Sequence, residues 1–376
     1  MPIEIQEILQ LVVDKGASDL HLKVGLAPII RVSGKLQASE FDPVSKDDIQ
    51  RMVFSMLTGD QRKTLENTFE LDCSYGVSGL GRFRVNVYKD RGSYAVAMRT
   101  IPFQVPLLED LELPPVVSKD LVHKPRGLCL VTGPTGSGKS STLAAMINYI
   151  NENRAEHILT IEDPIEFLHR HKKSIVSQRE LGSDTKSFAN ALRGALREDP
   201  DIILVGELRD LETISLALTA AETGHLVFGT LHTSSAAQTI DRIVDVFPDA
   251  QQQQVRVMLS NSLVAVVSQT LMPRAAAKVG ANSQMRGRVV ACEVLCNTPA
   301  ISNLIREAKT AQVYSAIQMG ANQGMQTLES ALAILVKGGL ITYQDAIVKT
   351  SRPDDFNRLV GSQASSLAGM SRPASH

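Results

Sequence analysis

The sequence predicts an α/β protein in two parts: a small α+β module, then a larger domain built on a mostly parallel sheet. Three observations carry this expectation. Short apolar strands and amphipathic helices are mixed up to Ile101, a cluster of prolines follows, and from Gly127 strands alternate regularly with helical patterns. A chain of 376 residues also exceeds what one core comfortably fills.

In the first part, Ile5, Ile8, Leu9 and Val12 fall at helical spacing, and Gly16 ends that helix. Strands are expected over Asp19–Val24 and Ile29–Val32, with Ser33 and Gly34 as a turn. A helix carries Ile49, Met52, Val53 and Met56. Three strand-like runs follow, Glu70–Val77, Arg82–Tyr88 and Ser93–Ile101, parted by Gly79 and Gly81 and then by Asp90, Arg91 and Gly92. Residues 1–103 are the expected small domain. Pro102, Pro106, Pro114, Pro115 and Pro125 mark 104–125 as an interdomain linker, because a residue before proline is biased towards extended structure.

The larger domain is expected over 126–350. The strand Leu128–Thr132 leads into a Gly-rich loop and a helix. The strand Ile158–Ile161, a helix near Ser187–Arg197 and the strand Ile202–Val205 come next. A helix with Ile214, Leu218 and Ala221 on one face precedes the strand Leu226–Gly229. Such alternation indicates a mostly parallel sheet covered on both faces. After Pro273 a polar loop leads to the strand Arg288–Leu295, with short helices over about 298–350. The Ser/Ala/Gly/Pro-rich end, 351–376, is expected to be a disordered tail.

Composition narrows the function classes. The net charge of −1 gives no basic excess, so no nucleic-acid partner is expected. No run approaches the ~18 apolar residues of a membrane span, and the start lacks a basic segment before an apolar core. A cytoplasmic protein is expected. Cys73, Cys129, Cys292 and Cys296 form no zinc framework, since only Cys292 and Cys296 share a ligand-pair spacing.

The strongest chemical signal is Gly133, Pro134, Thr135, Gly136, Ser137, Gly138, Lys139 and Ser140, which match G-x-x-x-x-G-K-S/T. An apolar strand precedes them, and a helix with Leu143, Met146 and Ile147 follows. Glycines let successive backbone N–H groups turn inward onto phosphate oxygens, and the helix N-terminus adds partial positive charge. Lys139 can reach the β- and γ-phosphates, the Ser140 hydroxyl is placed to ligate Mg²⁺, and Ser141 is expected on the α-phosphate. ATP with Mg²⁺ is the expected ligand pair.

Two acidic segments end apolar strands: one holds Glu162, Asp163 and Glu166, the other Glu207. Carboxyl ends of parallel strands converge on the ligand crevice. Gly206 stands where such a strand commonly carries a metal-binding Asp, so Glu207 is expected to reach the metal through water. Glu162, Asp163 and Glu166 are then candidates to position or deprotonate an attacking water. His225 and His232 bracket the next strand, and a His near the γ-phosphate could report nucleotide state.

These residues carry a resemblance. GPTGSGKS, TIEDPIEF, REDPDIILVGELRDLET and TAAETGHLVFGTLHT stand in the order and spacing of the secretion-ATPase superfamily. They resemble its Walker A, Asp box, Walker B and His box. Gly16–Leu22 and Asp241–Pro248 extend the match, which covers about residues 1–350 and resembles the PilT-type twitching-motility motors. The resemblance implies a PAS-like N-terminal domain, a RecA-like ATPase domain and a ring-shaped homohexamer. It implies Glu166 as general base, Glu207 as the Walker B glutamate, and Arg82, Arg84 and Arg99 as arginines that reach the phosphates. Arg82, Arg84 and Asn86 also alternate with Phe83, Val85 and Val87, which makes one strand face polar and basic.

The family's C-terminal signature is AIRNLIRE. Here Ser302 takes the place of its first arginine, while Ile301, Asn303, Leu304, Ile305, Arg306 and Glu307 match. The resemblance gives these residues a part in coupling to the pilus machinery. It further implies ATP-driven pilus retraction, an inner-membrane platform partner of PilC type, a PilU-like paralogue and a place peripheral to the inner membrane. The alternatives are an accessory ATPase of PilU type and a pilus-assembly or type II secretion ATPase, whose usual four-cysteine zinc module is missing. From other classes they are a nucleic-acid translocase and an ATP-binding adaptor without turnover.

Overall fold

The computed structural model describes residues 3–32, 34–101, 105–275 and 287–361. It divides into two compact units, one of residues 1–104 with 164–169, the other of residues 105–163 with 170–376.

In the smaller unit, helix α1 (Ile5–Asp14) buries Ile5, Ile8, Leu9 and Val12, and the chain turns at Gly16 with φ 59°. Strands β1 (Asp19–Leu22), β2 (Ile29–Val32) and β3 (Lys35–Ala38) follow, the last fully exposed and not expected from the sequence. Helix α2 (Lys46–Met56) opens on a capping box formed by Ser45 and Asp48. Helix α3 (Gly59–Thr68) opens on a second box, Thr58 with Gln61. It buries only Leu65, so no apolar stripe announces it.

Strands β4 (Glu70–Val77), β5 (Gly81–Asp90) and β6 (Ser93–Ile101) complete an antiparallel sheet in the order β3-β2-β1-β6-β5-β4. Along β5, Phe83, Val85 and Val87 join the core with α1 and α2, while Arg82, Arg84 and Asn86 face the other way.

The expected linker is a correction. From Val105 onward the stretch folds into short helical turns at Leu108–Leu111, Val116–Asp120 and Leu121–His123. Leu108, Leu113, Val117, Leu121 and Val122 are buried in the core of the larger unit. Proline clustering misleads here because Pro114 and Pro115 sit at the start of a helical turn, where a missing N–H costs nothing.

The larger unit holds β7 (Gly127–Thr132), α4 (Lys139–Asn153), β8 (His157–Glu162), β9 (Ile175–Glu180), α5 (Phe188–Ala195) and β10 (Ile202–Val205). Then come α6 (Leu211–Glu222), β11 (Leu226–Leu231), α7 (Ala236–Asp245), α8 (Asp249–Ser262), β12 (Leu263–Pro273) and β13 (Arg288–Cys296). The sheet order is β13-β12-β7-β11-β10-β8-β9, and only the β12–β13 pair is antiparallel. Leu128 and Leu130 of β7 enter one core and Cys129 and Val131 another, so both faces are covered.

After β13 come α9 (Pro299–Arg306), α10 (Val313–Met319), α11 (Leu328–Lys337), α12 (Tyr343–Ile347) and α13 (Pro353–Val360). The last corrects the tail expected over 351–376. Phe356 and Val360 of α13 are buried in one cluster with Met272, Val289 and Leu332. Two apolar residues at i and i+4 give a single short helix its packing face. Residues 362–376, and 276–286 in the loop after Pro273, lie outside the described residues. Among the described residues no helix is long and apolar enough to cross a membrane.

Phe356→Ala should therefore cost about 3–5 kcal/mol, as a buried aromatic does, and lower the thermal midpoint of the larger unit. Unchanged melting would place α13 outside the cooperative core.

Candidate active site

The phosphate loop is shaped by what lies beneath it. Thr132, the last residue of β7, is fully buried, and its hydroxyl lies 2.7 Å from that of Ser268 on β12. At the next residue, Gly133, φ is 138°. A Cβ there would stand 2.3 Å from the Gln269 carbonyl oxygen and 2.7 Å from the Ser137 hydroxyl. No side chain fits.

Gly136 and Gly138, with φ 79° and 92°, turn the loop back so that Lys139 opens α4. Pro134, Thr135 and Gly136 form its exposed crest, while Ser140 and Ser141 sit half-buried in the first helical turn. From below, the Gln269 amide donates to the Ser137 carbonyl at 3.0 Å and to the Thr142 hydroxyl at 3.2 Å. Gln269 was not legible as a site residue, since its strand reads as an interrupted apolar run. Lys139 Nζ donates to the carbonyls of Gly133 at 2.8 Å and Pro134 at 3.2 Å, which holds the ammonium over the loop.

At the end of β10, Gly206 donates its N–H to the Ile161 carbonyl at 2.7 Å. A Cβ at Gly206 would meet that oxygen at 3.1 Å and Glu162 Cα at 3.2 Å, so a side chain there would press on the backbone at the end of β8. The acid comes one residue later. Glu207 Oε1 lies 2.5 Å from Arg209 Nε and 3.2 Å from His232 Nε2. Burial alone would raise its carboxyl, but the Arg209 guanidinium and the His232 ring outweigh burial and hold it below the ordinary glutamate range. Arg209 in turn keeps its charge more firmly because of Glu207 and, at longer range, Asp163. Arg209 escaped the sequence reading, although a cation two residues beyond an acid at a strand end is a usable signal.

Glu162 ends β8, where it accepts from the Thr160 hydroxyl at 2.7 Å and the Gln178 amide at 3.3 Å. Glu166 lies on the segment 164–169, which groups with the smaller unit, apart from Glu162 and Asp163. His225 is a correction. Its carbonyl accepts the N–H of Gly127, the first residue of β7, while the phosphate loop follows the last. Six parallel residues separate those levels by roughly 16 Å. His225 Nδ1 lies 2.9 Å from the Ala220 carbonyl, so its ring closes the end of α6, at the far end of the strand from the phosphate loop.

Within the smaller unit, Arg84 pairs with Arg99 across β5 and β6, and Arg82 lies on the same face. Arg99 donates to Asp19 at 3.0 Å, Arg82 donates to the Ser74 hydroxyl at 2.6 Å, and Arg84 is exposed. In α9, Ile301 and Ile305 are fully buried and Leu304 packs against the same core, whereas Asn303 and Glu307 are exposed. Arg306 donates to Asn303, and Glu307 pairs with Lys309 at 2.7 Å. The Ser302 hydroxyl lies 3.0 Å from both the Ser260 carbonyl and Asn297 Oδ1. Burial pushes the Cys129 and Cys292 thiols up to about 12, which suits inert core residues.

Residues 98–347 match the model of the type II/IV secretion system protein family. Over 354 residues, 94% of this chain and 100% of the relative, the sequence is 53% identical to the type IV pilus retraction ATPase PilT of Pseudomonas aeruginosa. This chain is a PilT-type member of that family. A twitching motility protein of Neisseria gonorrhoeae is also 53% identical, over 85% of this chain and 83% of its own length. The solved structure of the pilus retraction motor PilT with bound ADP superposes with a TM-score of 0.84 at 50% identity. That superposition covers 94% of this chain and 98% of the other.

The environment of Glu207 sets a pH dependence for this PilT-type site. Its folded pKa is lowered, so the ionised pairing stabilises the fold above the unfolded value near 4.5 and is lost as pH falls through the lower folded value. Arg209→Ala removes the main opposing charge. The Glu207 carboxyl, followed by NMR titration, should then titrate at higher pH than in the parent. An unmoved titration would show that Arg209 does not govern it.

Proposed function

We propose that this chain hydrolyses ATP and, as a homohexamer, drives type IV pilus retraction. The observation that carries the reading is a phosphate loop locked onto β12 beside a carboxylate kept ionised between Arg209 and His232.

The residues divide the work. Backbone N–H groups from Gly136 to Ser141 face the phosphates, and Lys139 exchanges the Gly133 and Pro134 carbonyls for the β- and γ-phosphate oxygens. The donor set fits magnesium. Ser140 and Glu207 offer hard oxygen atoms, and no group of three or more acidic, His or Cys ligands occurs among the described residues. Ser140 would hold the ion directly and Glu207 through water, and when bound the ion neutralises phosphate charge. His232, one hydrogen bond from Glu207, is the histidine placed to follow nucleotide state.

Glu166 is the proposed general base and Arg82, Arg84 and Arg99 the proposed phosphate partners. Their support is the match to the family's boxes and the shared basic face of β5 and β6. Identity to PilT of 53% against 38% to PilU of Pseudomonas aeruginosa favours the retraction motor over the accessory ATPase. A cytoplasmic ring acting on an inner-membrane platform protein completes the proposal, with Asn303 of α9 and Glu307 just beyond it open to such a partner.

The test couples phosphate release to particle mass measured by light scattering. The parent should release phosphate from ATP with magnesium as a six-subunit particle. Lys139→Ala should abolish turnover. Glu207→Gln should keep nucleotide affinity while slowing hydrolysis about 100-fold or more. A folded parent that releases no phosphate would sink the proposal.

A further inference from the structure

Three buried polar side chains stand side by side across neighbouring strands, level with the last residue before the phosphate loop. Register pairs Thr132 of β7 with Ser268 of β12, and Ser268 with Glu293 of β13. Directly paired residues share a face, and these three are 0%, 3% and 5% exposed. Thr132 and Ser268 satisfy each other through their 2.7 Å contact. Glu293 does not join them. It reaches off the sheet, where its Oε1 accepts the backbone N–H of Ala236 at 2.7 Å.

Ala236 is the first residue of α7, and its N–H is one of four that a helix cannot satisfy from within. The Ser235 hydroxyl takes the N–H of Gln238 at 3.3 Å, and Glu293 takes that of Ala236. Helix α7 begins four residues after His232, whose ring lies 3.2 Å from Glu207. A carboxyl on β13 therefore pins the exit of the short turn that presents His232.

Packing alone does not call for an acid here. A buried carboxyl is costly, and Glu293 faces a second one, Glu329 of α11, which is 1% exposed. Glu329 is held by Thr350 at 2.8 Å and Tyr314 at 3.2 Å, and the Tyr314 hydroxyl also reaches Asp355 of α13 at 3.2 Å. The Arg352 guanidinium lies 3.8 Å over the Tyr314 ring. Burial pushes the Glu293 carboxyl up to about 7 against the Ala236 N–H, with Glu329 adding to the rise and Arg352 opposing it. Protonated or not, the group keeps an oxygen that can accept from Ala236. Reach matters here rather than charge.

We infer that Glu293 is a positioning residue for turnover: by accepting the Ala236 N–H it fixes the first turn of α7 and thereby the orientation of His232 at Glu207. The inference rests on the ATPase reading above. It assigns Glu293 no contact with nucleotide.

Two substitutions in the full chain separate reach from charge. Glu293→Gln keeps the acceptor oxygen at the same distance without the charge. Glu293→Asp keeps the charge but falls one methylene short. Hydrogen exchange of the 232–241 backbone and steady-state ATP hydrolysis are measured on both and on the parent. With Glu293→Gln, exchange and kcat should stay within about twofold of the parent. With Glu293→Asp, Ala236 exchange should rise and kcat fall, each about tenfold, while KM moves less than twofold; that matches the loss of one hydrogen bond.

Should Glu293→Asp fail to fold, Ser235→Ala loosens the same turn from the other side and should lower kcat with KM held. Parental kcat in Glu293→Asp or Ser235→Ala would overturn the assignment, as would Glu293→Gln behaving like Glu293→Asp. A parent without turnover would instead end the ATPase reading, and the exchange data would still decide whether Glu293 holds the turn.

Discussion

The active end of the larger unit depends on one steric fact: the chain leaving β7 passes so close to β12 that Gly133 has no room for a Cβ. The contact is with backbone, so no rearrangement of a flexible side chain could relieve it. Because β12 cannot yield, the loop has one path, and Gln269 reaches up from the same strand to bind the loop at Ser137 and the helix at Thr142. The donors of a phosphate cradle are worth most when they are already aimed before charge arrives. Here the aiming is done by a neighbouring strand, with nothing but a glycine between.

A second close approach redistributes the acids. The backbone at the end of β8 lies close to Gly206, and β10 ends without the carboxylate that strands of this kind often carry. Glu207 takes over from a position that Arg209 and His232 can also reach. An acid between two basic groups remains ionised despite partial burial. A negatively charged ligand brought to the same crevice competes for those two partners.

Much of this was legible because the boxes are dense and the strands apolar. Lys139, Glu207 and His232 all follow the ends of strands whose pattern is plain, and strand alternation around Phe83 separated core from basic face. What was missed had no apolar period to show. Helix α3 is specified by the Thr58–Gln61 box and one buried leucine, and β3 is exposed throughout. His225 and His232 were grouped because they bracket one strand; the parallel pairing of Gly127 with Leu226 puts His225 at the amino end of β11, away from the loop. The prolines at 114 and 115 resembled a linker, yet the apolar residues between them and Pro125 were core. Gln269 and Glu293 act through partners distant in sequence, which no local pattern could reveal, whereas Arg209 sits two residues from Glu207 and was open to a local reading.

The segment around Ser302 shows how burial limits a functional assignment made by similarity. Seven residues of α9 and its end match the signature, but Ile301 and Ile305 are fully buried and Leu304 packs on the same core. Such residues can affect a partner only by setting where the helix lies. Asn303 and Glu307 are exposed and can touch one directly. Ser302 belongs to the first group. Its hydroxyl lies within reach of the Ser260 carbonyl at the end of α8 and of Asn297, whose amide also donates to Ser260 and Leu263. A guanidinium could serve the same carbonyl, but only by carrying a longer stem across a half-buried site. The serine links α9 to the end of α8 with a small side chain.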